Sequence, residues 1–181
     1  MERMSLNKII VRALCWVTCA AFLAGCSSQK QTPKERAEGA KLLFEQTTRN
    51  YHMPSAEAVG IEKVQLQDKA AQGYRELLSK YPEQAFYASQ AERSLGNIYA
   101  AQGKISDAVL HYKAVEQKFP RQEWEVLMAL KSAADLLWDN GQKVDASKFY
   151  QQIVSRFDNA DATAVMKATI RGSRARLATR S

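Results

Sequence analysis

Beyond residue 26 the chain has no cysteine: Cys15, Cys19 and Cys26 are the only three. A disulfide framework or a thiolate metal site is therefore excluded from the body of the protein. Glycine and proline are scarce, eight and four residues, and they stand between the periodic stretches. That placement argues against a turn-rich sheet protein and for helices. The two histidines, His52 and His111, lie far apart and neither has a metal-ligand spacing. They read as structural or solvent-facing residues. No glycine-rich loop suits a phosphate, and no serine has a motif that would set it beside a base. The sequence thus gives no expectation of an enzyme, a metal or another cofactor. Acidic side chains stop at Asp161, although the chain continues to Ser181. With 46% hydrophobic and 25% charged residues, the remainder has the composition of about one folded domain.

What the chain does contain is centred on residues 89–122, SQAERSLGNIYAAQGKISDAVLHYKAVEQKFPRQ. Ala91, Leu95, Ile98 and Tyr99, then Ile105, Ala108, Val109, Tyr112, Val115 and Phe119, follow the i, i+3, i+4 spacing of two amphipathic helices. Gly103 stands where a helix end needs positive φ, Ser106 is placed to cap the second helix, and Pro120 closes it. Gly96 and Ala108 leave room for the two helices to approach closely. Glu92, Glu116, Glu123 and Glu125 read as solvated faces. Phe86 and Trp124, which begin equivalent helices, read as packing between repeats.

Leu95, Gly96, Tyr99, Gly103, Ala108, Tyr112 and Pro120 together resemble the signature of a tetratricopeptide repeat, with Glu92 in place of the usual tryptophan. Gly141, Ala146, Tyr150 and Ile153 repeat the pattern about 38 positions on, and Ala70, Tyr74, Leu77, Tyr81 and Pro82 about 38 positions back. The usual period is about 34. The resemblance implies an all-α, right-handed superhelix of antiparallel helix hairpins, about three hairpins followed by a C-terminal capping helix. Thr32-Pro33 reads as the start of the first helix, with a break around residues 51–55 before Pro54 and a resumption by Val64. Met128, Ala133, Ala134 and Leu137 mark the helix after residue 123, which Asn140-Gly141 stops; Phe149, Tyr150, Ile153 and Phe157 mark its partner. Asp161 reads as the cap of the last helix, in which Val165, Ala168, Ile170 and Leu177 are the apolar positions.

The N-terminus has a separate logic. Arg3, Lys8 and Arg12 precede the short apolar run Ala13 to Gly25, which reads as an export signal over residues 1–25. Leu23-Ala24-Gly25-Cys26 resembles the bacterial lipobox. That resemblance implies cleavage before Cys26 and acylation of Cys26, with residues 26–31 as a tether and 32–181 as the repeat domain. Ser27 after the cysteine resembles the class sent to the outer membrane, so the implied location is lipid-anchored and facing the periplasm.

Loss of the signal would lower the formal charge from +7 to about +5. Lys167, Arg171, Arg174, Arg176 and Arg180 then form a basic C-terminal end. In an exported protein this suits anionic lipid, peptidoglycan or an acidic protein surface rather than nucleic acid, or simply a solvated helix end. Repeats of this family bind partner proteins on the concave surface lined by the first helices. The match implies Gln90, Arg93 and Asn97 in one repeat and Lys131, Asp135 and Trp138 in the next. The wording is similar both to the repeat lipoproteins of outer-membrane barrel assembly and to the repeats of the Tol-Pal cell-division coordinator. A pilotin-like escort of a secretin, a cell-wall-glycan-binding protein and an envelope enzyme subunit are the alternatives.

Overall fold

A computed structural model describes residues 31–159 and 161–179. Residues 1–25, read as an export signal, together with Cys26 and Arg180 lie outside the described residues. From residue 33 onward the chain forms one compact unit of helices. Its elements are α1 (Pro33–Thr47), a π-helical turn (Thr48–His52), short α2 (Met53–Glu57), α3 (Gly60–Lys80), α4 (Ala85–Ala101), α5 (Ile105–Lys118), α6 (Glu123–Asp139), α7 (Lys143–Phe157) and α8 (Ala164–Ala178). Consecutive helices pack as antiparallel hairpins: α1 and α2 against α3, α4 against α5, α6 against α7, with α8 laid on α7. Among the described residues no helix is long and apolar enough to cross a membrane.

Equivalent positions repeat in three dimensions as they do in sequence. Ala70, Ala108 and Ala146 have no exposed surface, and neither do Leu77, Val115 and Ile153. These residues sit where second helices press on the first, so a side chain larger than methyl at the alanines would force the helices apart. Both central turns close alike. Gly103 and Gly141 have φ of 72° and 77°. The following amides, Lys104 and Gln142, reach back to the carbonyls of Tyr99 and Leu137 at 2.9 Å in each case, a Schellman closure that only a left-handed residue permits cheaply. Gly96 meets a different demand. A Cβ there would lie 2.5 Å from Cε1 of Tyr112, so the glycine is where α5 rests its ring on α4.

The first hairpin departs from the sequence expectation. The helix does not break before Pro54: residues 48–57 stay helical, and the extended break falls at Ala58 and Val59, with Gly60 at φ 58° opening α3. Proline lacks the N–H that a continuing α-helix needs. Here the π-helical turn, in which the Met53 amide bonds the Thr48 carbonyl, shifts the register so that Pro54 falls in the first turn of α2, where no donor is required. Ser55 Oγ donates to the His52 carbonyl at 2.7 Å and helps satisfy the disturbed backbone. At the other end of this hairpin Arg36 holds Glu83 through Nε at 2.5 Å and the Lys80 carbonyl at 2.6 Å.

Other expectations are corrected at helix starts and on the surface. Ser106 lies inside α5, whose N-cap residue is Lys104 and which has no side-chain cap. Thr163, not Asp161, caps α8 by accepting from the Met166 amide. Phe86 and Trp124 are 57% and 46% exposed, each on the outward side of a helix start whose inward residues, Ala88 and Val126, are fully buried. Val165 is exposed as well. Conversely α6 buries Val126, Leu127 and Leu130 completely, having α4, α5 and α7 around it.

Candidate functional site

The first helices α4 and α6 pack directly on one another, as α1 does on α4, whereas the second helices stand further apart. A stack drawn together along one line and splayed along the other curves toward the first. The first helices therefore line the inner face, and these helices carry the residues expected to face a partner.

Three tyrosines at the same interval, Tyr74, Tyr112 and Tyr150, reach from the second helices to this face. Tyr112 donates to Asn97 Oδ1 at 2.8 Å, and Tyr150 to Asp135 Oδ1 at 2.7 Å. Asn97 and Asp135 are themselves equivalent positions. Tyr74 has no counterpart of them, and its hydroxyl instead meets Thr48 Oγ1 at 2.9 Å and His52 Nδ1 at 2.8 Å. The next first helix contributes too, since the hydroxyls of Ser94 and Ser132 act on Tyr74 and Tyr112. Tyr74 and Tyr112 are thus rungs that tie one first helix to the next, and Tyr150 is the last rung, bonded to α6. Burial raises the Tyr74 phenol above its ordinary range, and pushes Tyr112 up to about 12. Burial, with the Asp135 carboxylate beside it, also raises Tyr150. Burial, and then the charge of Arg93, keeps His52 below its ordinary value.

Around these rungs Arg93, Asn97, Lys131, Asp135 and Trp138 are half-buried. Arg93 Nε pairs with Glu125 Oε2 at 2.6 Å, joining α4 to α6. Lys131 pairs with Asp135, whose other oxygen receives Tyr150. Trp138 meets Tyr150 edge-on with centroids 6.0 Å apart, and its ring has the Arg176 guanidinium at 5.0 Å and the Lys143 ammonium at 5.3 Å. Lys131, Asp135, Asp139, Tyr150, Thr169 and Arg176 surround a cavity of about 470 Å³ where α6 faces α8. Gln90 stands apart, with its amide on the Phe86 carbonyl of its own helix at 3.3 Å.

The basic C-terminal end is not one surface. At about 100° per residue, Lys167, Arg171 and Arg174 share one side of α8 and Arg176 lies across it. Arg174 pairs with Asp158, while Arg176 belongs to the inner face with Trp138.

The acidic residues need a larger correction. Glu125 is buried against Arg93, and Glu116 is half-buried with Arg156 Nη1 at 3.0 Å. Glu92 is only 2% exposed; its oxygens meet His111 Nδ1 at 2.8 Å and Lys118 Nζ at 3.1 Å. Burial alone would raise the Glu92 carboxyl, and the two bases together more than offset it, holding it below the ordinary value. The register carried the signal: the position equivalent to Glu92 is Leu130, fully buried, so Glu92 occupies a core site. Likewise the recurrence of tyrosine with asparagine or aspartate fifteen residues before it, at Asn97 and Asp135, marks the rungs in the sequence.

Among the described residues no three His, Cys, Asp or Glu side chains converge as a metal ion would need. No protein-family model, characterised protein or solved structure matches the chain.

Proposed function

We propose that this chain is a lipid-anchored adaptor of the tetratricopeptide-repeat kind, held at the outer membrane through Cys26 and binding segments of other envelope proteins along its inner face. The observation that carries the reading is the row Arg93, Asn97, Lys131, Asp135 and Trp138. These side chains of both charges and one aromatic are half-buried, held by tyrosine contacts at Asn97, Asp135 and Trp138 and by ion pairs at Arg93 and Lys131, and carried on adjacent helices. Such a row offers a partner preformed hydrogen-bonding groups and an aromatic anchor at little cost in ordering. The work it suits is holding envelope proteins together during outer-membrane assembly or maintenance of the envelope. Two substitutions in the row, Trp138→Ala and Lys131→Glu, test the binding half with partner capture as the readout.

The anchor half is tested by Cys26→Ser. Each buried methylene of an acyl chain contributes about 0.8 kcal/mol, so several chains hold a soluble domain firmly, whereas the basic residues of α8 alone would release it in salt. The variant is expected to lose labelling by a fatty-acid probe and to leave the membrane fraction. Salt-resistant membrane binding of the unlabelled variant would refute the anchor.

A further inference from the structure

Tyr99 shows what the space between two second helices accepts, and one repeat later the same space is open. The Tyr99 ring lies flat on His111, with centroids 5.1 Å apart and planes 13° from parallel. The Arg75 guanidinium stands 5.8 Å from the ring centroid and hydrogen-bonds the phenol oxygen. Advanced by one repeat, Tyr99 becomes Leu137, His111 becomes Phe149 and Arg75 becomes Lys113. The flat partner and the cation that bonds the phenol are retained, the second cation over the Tyr99 ring, Lys104, becomes Gln142, and the ring itself is replaced by a shorter side chain.

The consequence is a cavity of about 590 Å³ between α5 and α7, lined by Val109, Lys113, Leu137, Phe149 and the exposed Gln152. Leu137 is 5% exposed and forms its floor. The carboxylates on the rim are engaged, Asp145 by Lys148 at 2.7 Å and Glu116 by Arg156 at 3.0 Å. The Lys113 ammonium lies 5.6 Å from the Phe149 ring centroid; its charge also acts on Asp145, but that carboxylate is bonded to Lys148, and among the described residues no salt bridge engages Lys113. An apolar wall, a ring face and a cation with a donor to spare match the surroundings that Tyr99 has in the preceding repeat.

We propose that this cavity is a second binding site, on the outer face, that takes a tyrosine side chain from a protein partner. The phenol ring lies against Phe149 and Leu137, and its hydroxyl accepts from Lys113. Leucine or phenylalanine in the same place would leave the ammonium without that acceptor, and Gln142 and Gln152 at the mouth suit the main chain of the segment that carries the tyrosine. The site is formed by α5 and α7 over Leu137 of α6 and shares no residue with the inner-face row, so it stands or falls separately from the adaptor reading.

The test is a titration of the full chain in detergent, with methyl-labelled leucine and valine, using N-acetyltyrosinamide as the probe. A ring entering the cavity shifts the Leu137 and Val109 methyl signals upfield, and the shift saturates. N-acetylphenylalaninamide should bind roughly tenfold more weakly, and Lys113→Met should erase that difference. Leu137→Tyr restores the ring from within and should abolish the response. Gln152→Trp closes the mouth from an exposed position that does not challenge folding, and should abolish it as well. No saturable shift, an equal response to N-acetylleucinamide, or a response that survives Gln152→Trp would overturn the proposal.

Discussion

Tyr112→Ala is expected to remove about 3 to 5 kcal/mol of stability, the usual cost of emptying a buried aromatic site. The ring is nearly inaccessible, lies on Gly96 and belongs to the core shared by α5, α6 and α7. A domain of this size has about 5 to 15 kcal/mol in total, so the variant should unfold at markedly lower urea and temperature. Tyr112→Phe keeps the ring and loses the bond to Asn97, at a cost of about 1 kcal/mol. The close approach gives an independent check. Gly96→Leu should destabilise the parent by overpacking, about 1 to 3 kcal/mol, but much less in the Tyr112→Ala background, where the leucine enters the vacated space. If Tyr112→Ala melts with the parent, or the two substitutions add, the rung does not hold α4 and α5 together.

Glu92 predicts a reversal of sign. Removing its partner by His111→Leu leaves a buried carboxylate with Lys118 alone, and should cost about 2 kcal/mol. Replacing both residues by their equivalents, Glu92→Leu with His111→Phe, recreates the fully buried Leu130 and nearly buried Phe149 of the next repeat. Apolar replacement of a buried ion pair is often neutral or stabilising by about 1 to 4 kcal/mol, so the double variant should match or exceed the parent. The pH dependence has a defined direction. The folded carboxyl is held below its unfolded value of 4.5, so its contribution is present above pH 4.5 and is lost as pH falls through the folded value. The double variant should lack that portion of the acid limb. A double variant less stable than His111→Leu would show that Glu92 is needed for more than its own pairing.

The helices and their period were legible because small and apolar residues recur at positions that second helices press on first helices, Ala70, Ala108 and Ala146 among them. Gly96 and Gly103 were legible for the same reason, as steric demands fixed within a few residues. What failed depends on contacts across the stack. Helical periodicity places Glu92 and Glu125 on a stripe, but only the neighbouring hairpin decides that the stripe is covered and supplies Lys118 or Arg93. The Pro54 rule is local, and was overridden by a π-helical turn fastened to Tyr74 from 22 residues away. Phe86 and Trp124 were misplaced because aromatic character does not say which side of a helix start the neighbouring hairpin covers. Of the inner-face residues, Arg93, Asn97, Lys131, Asp135 and Trp138 are linked through rungs and ion pairs; that Arg176 joins them could not be read from a cluster of basic residues near the chain end.

The most direct measurement of the adaptor claim compares two tryptophans. The full chain and its variants are used to capture partners from envelope extract, at low and raised salt, with helicity and melting temperature recorded for each. Trp138→Ala should lose a discrete partner, since an aromatic anchor often contributes about 2 kcal/mol or more, while Trp124→Ala, an exposed aromatic outside the row, should keep it. Lys131→Glu should weaken capture mainly in the salt-sensitive part, because a rim charge acts on association. The account predicts that capture fails for Trp138→Ala with the fold intact. Folded Trp138→Ala and Lys131→Glu variants that retain every partner held by the parent would contradict it.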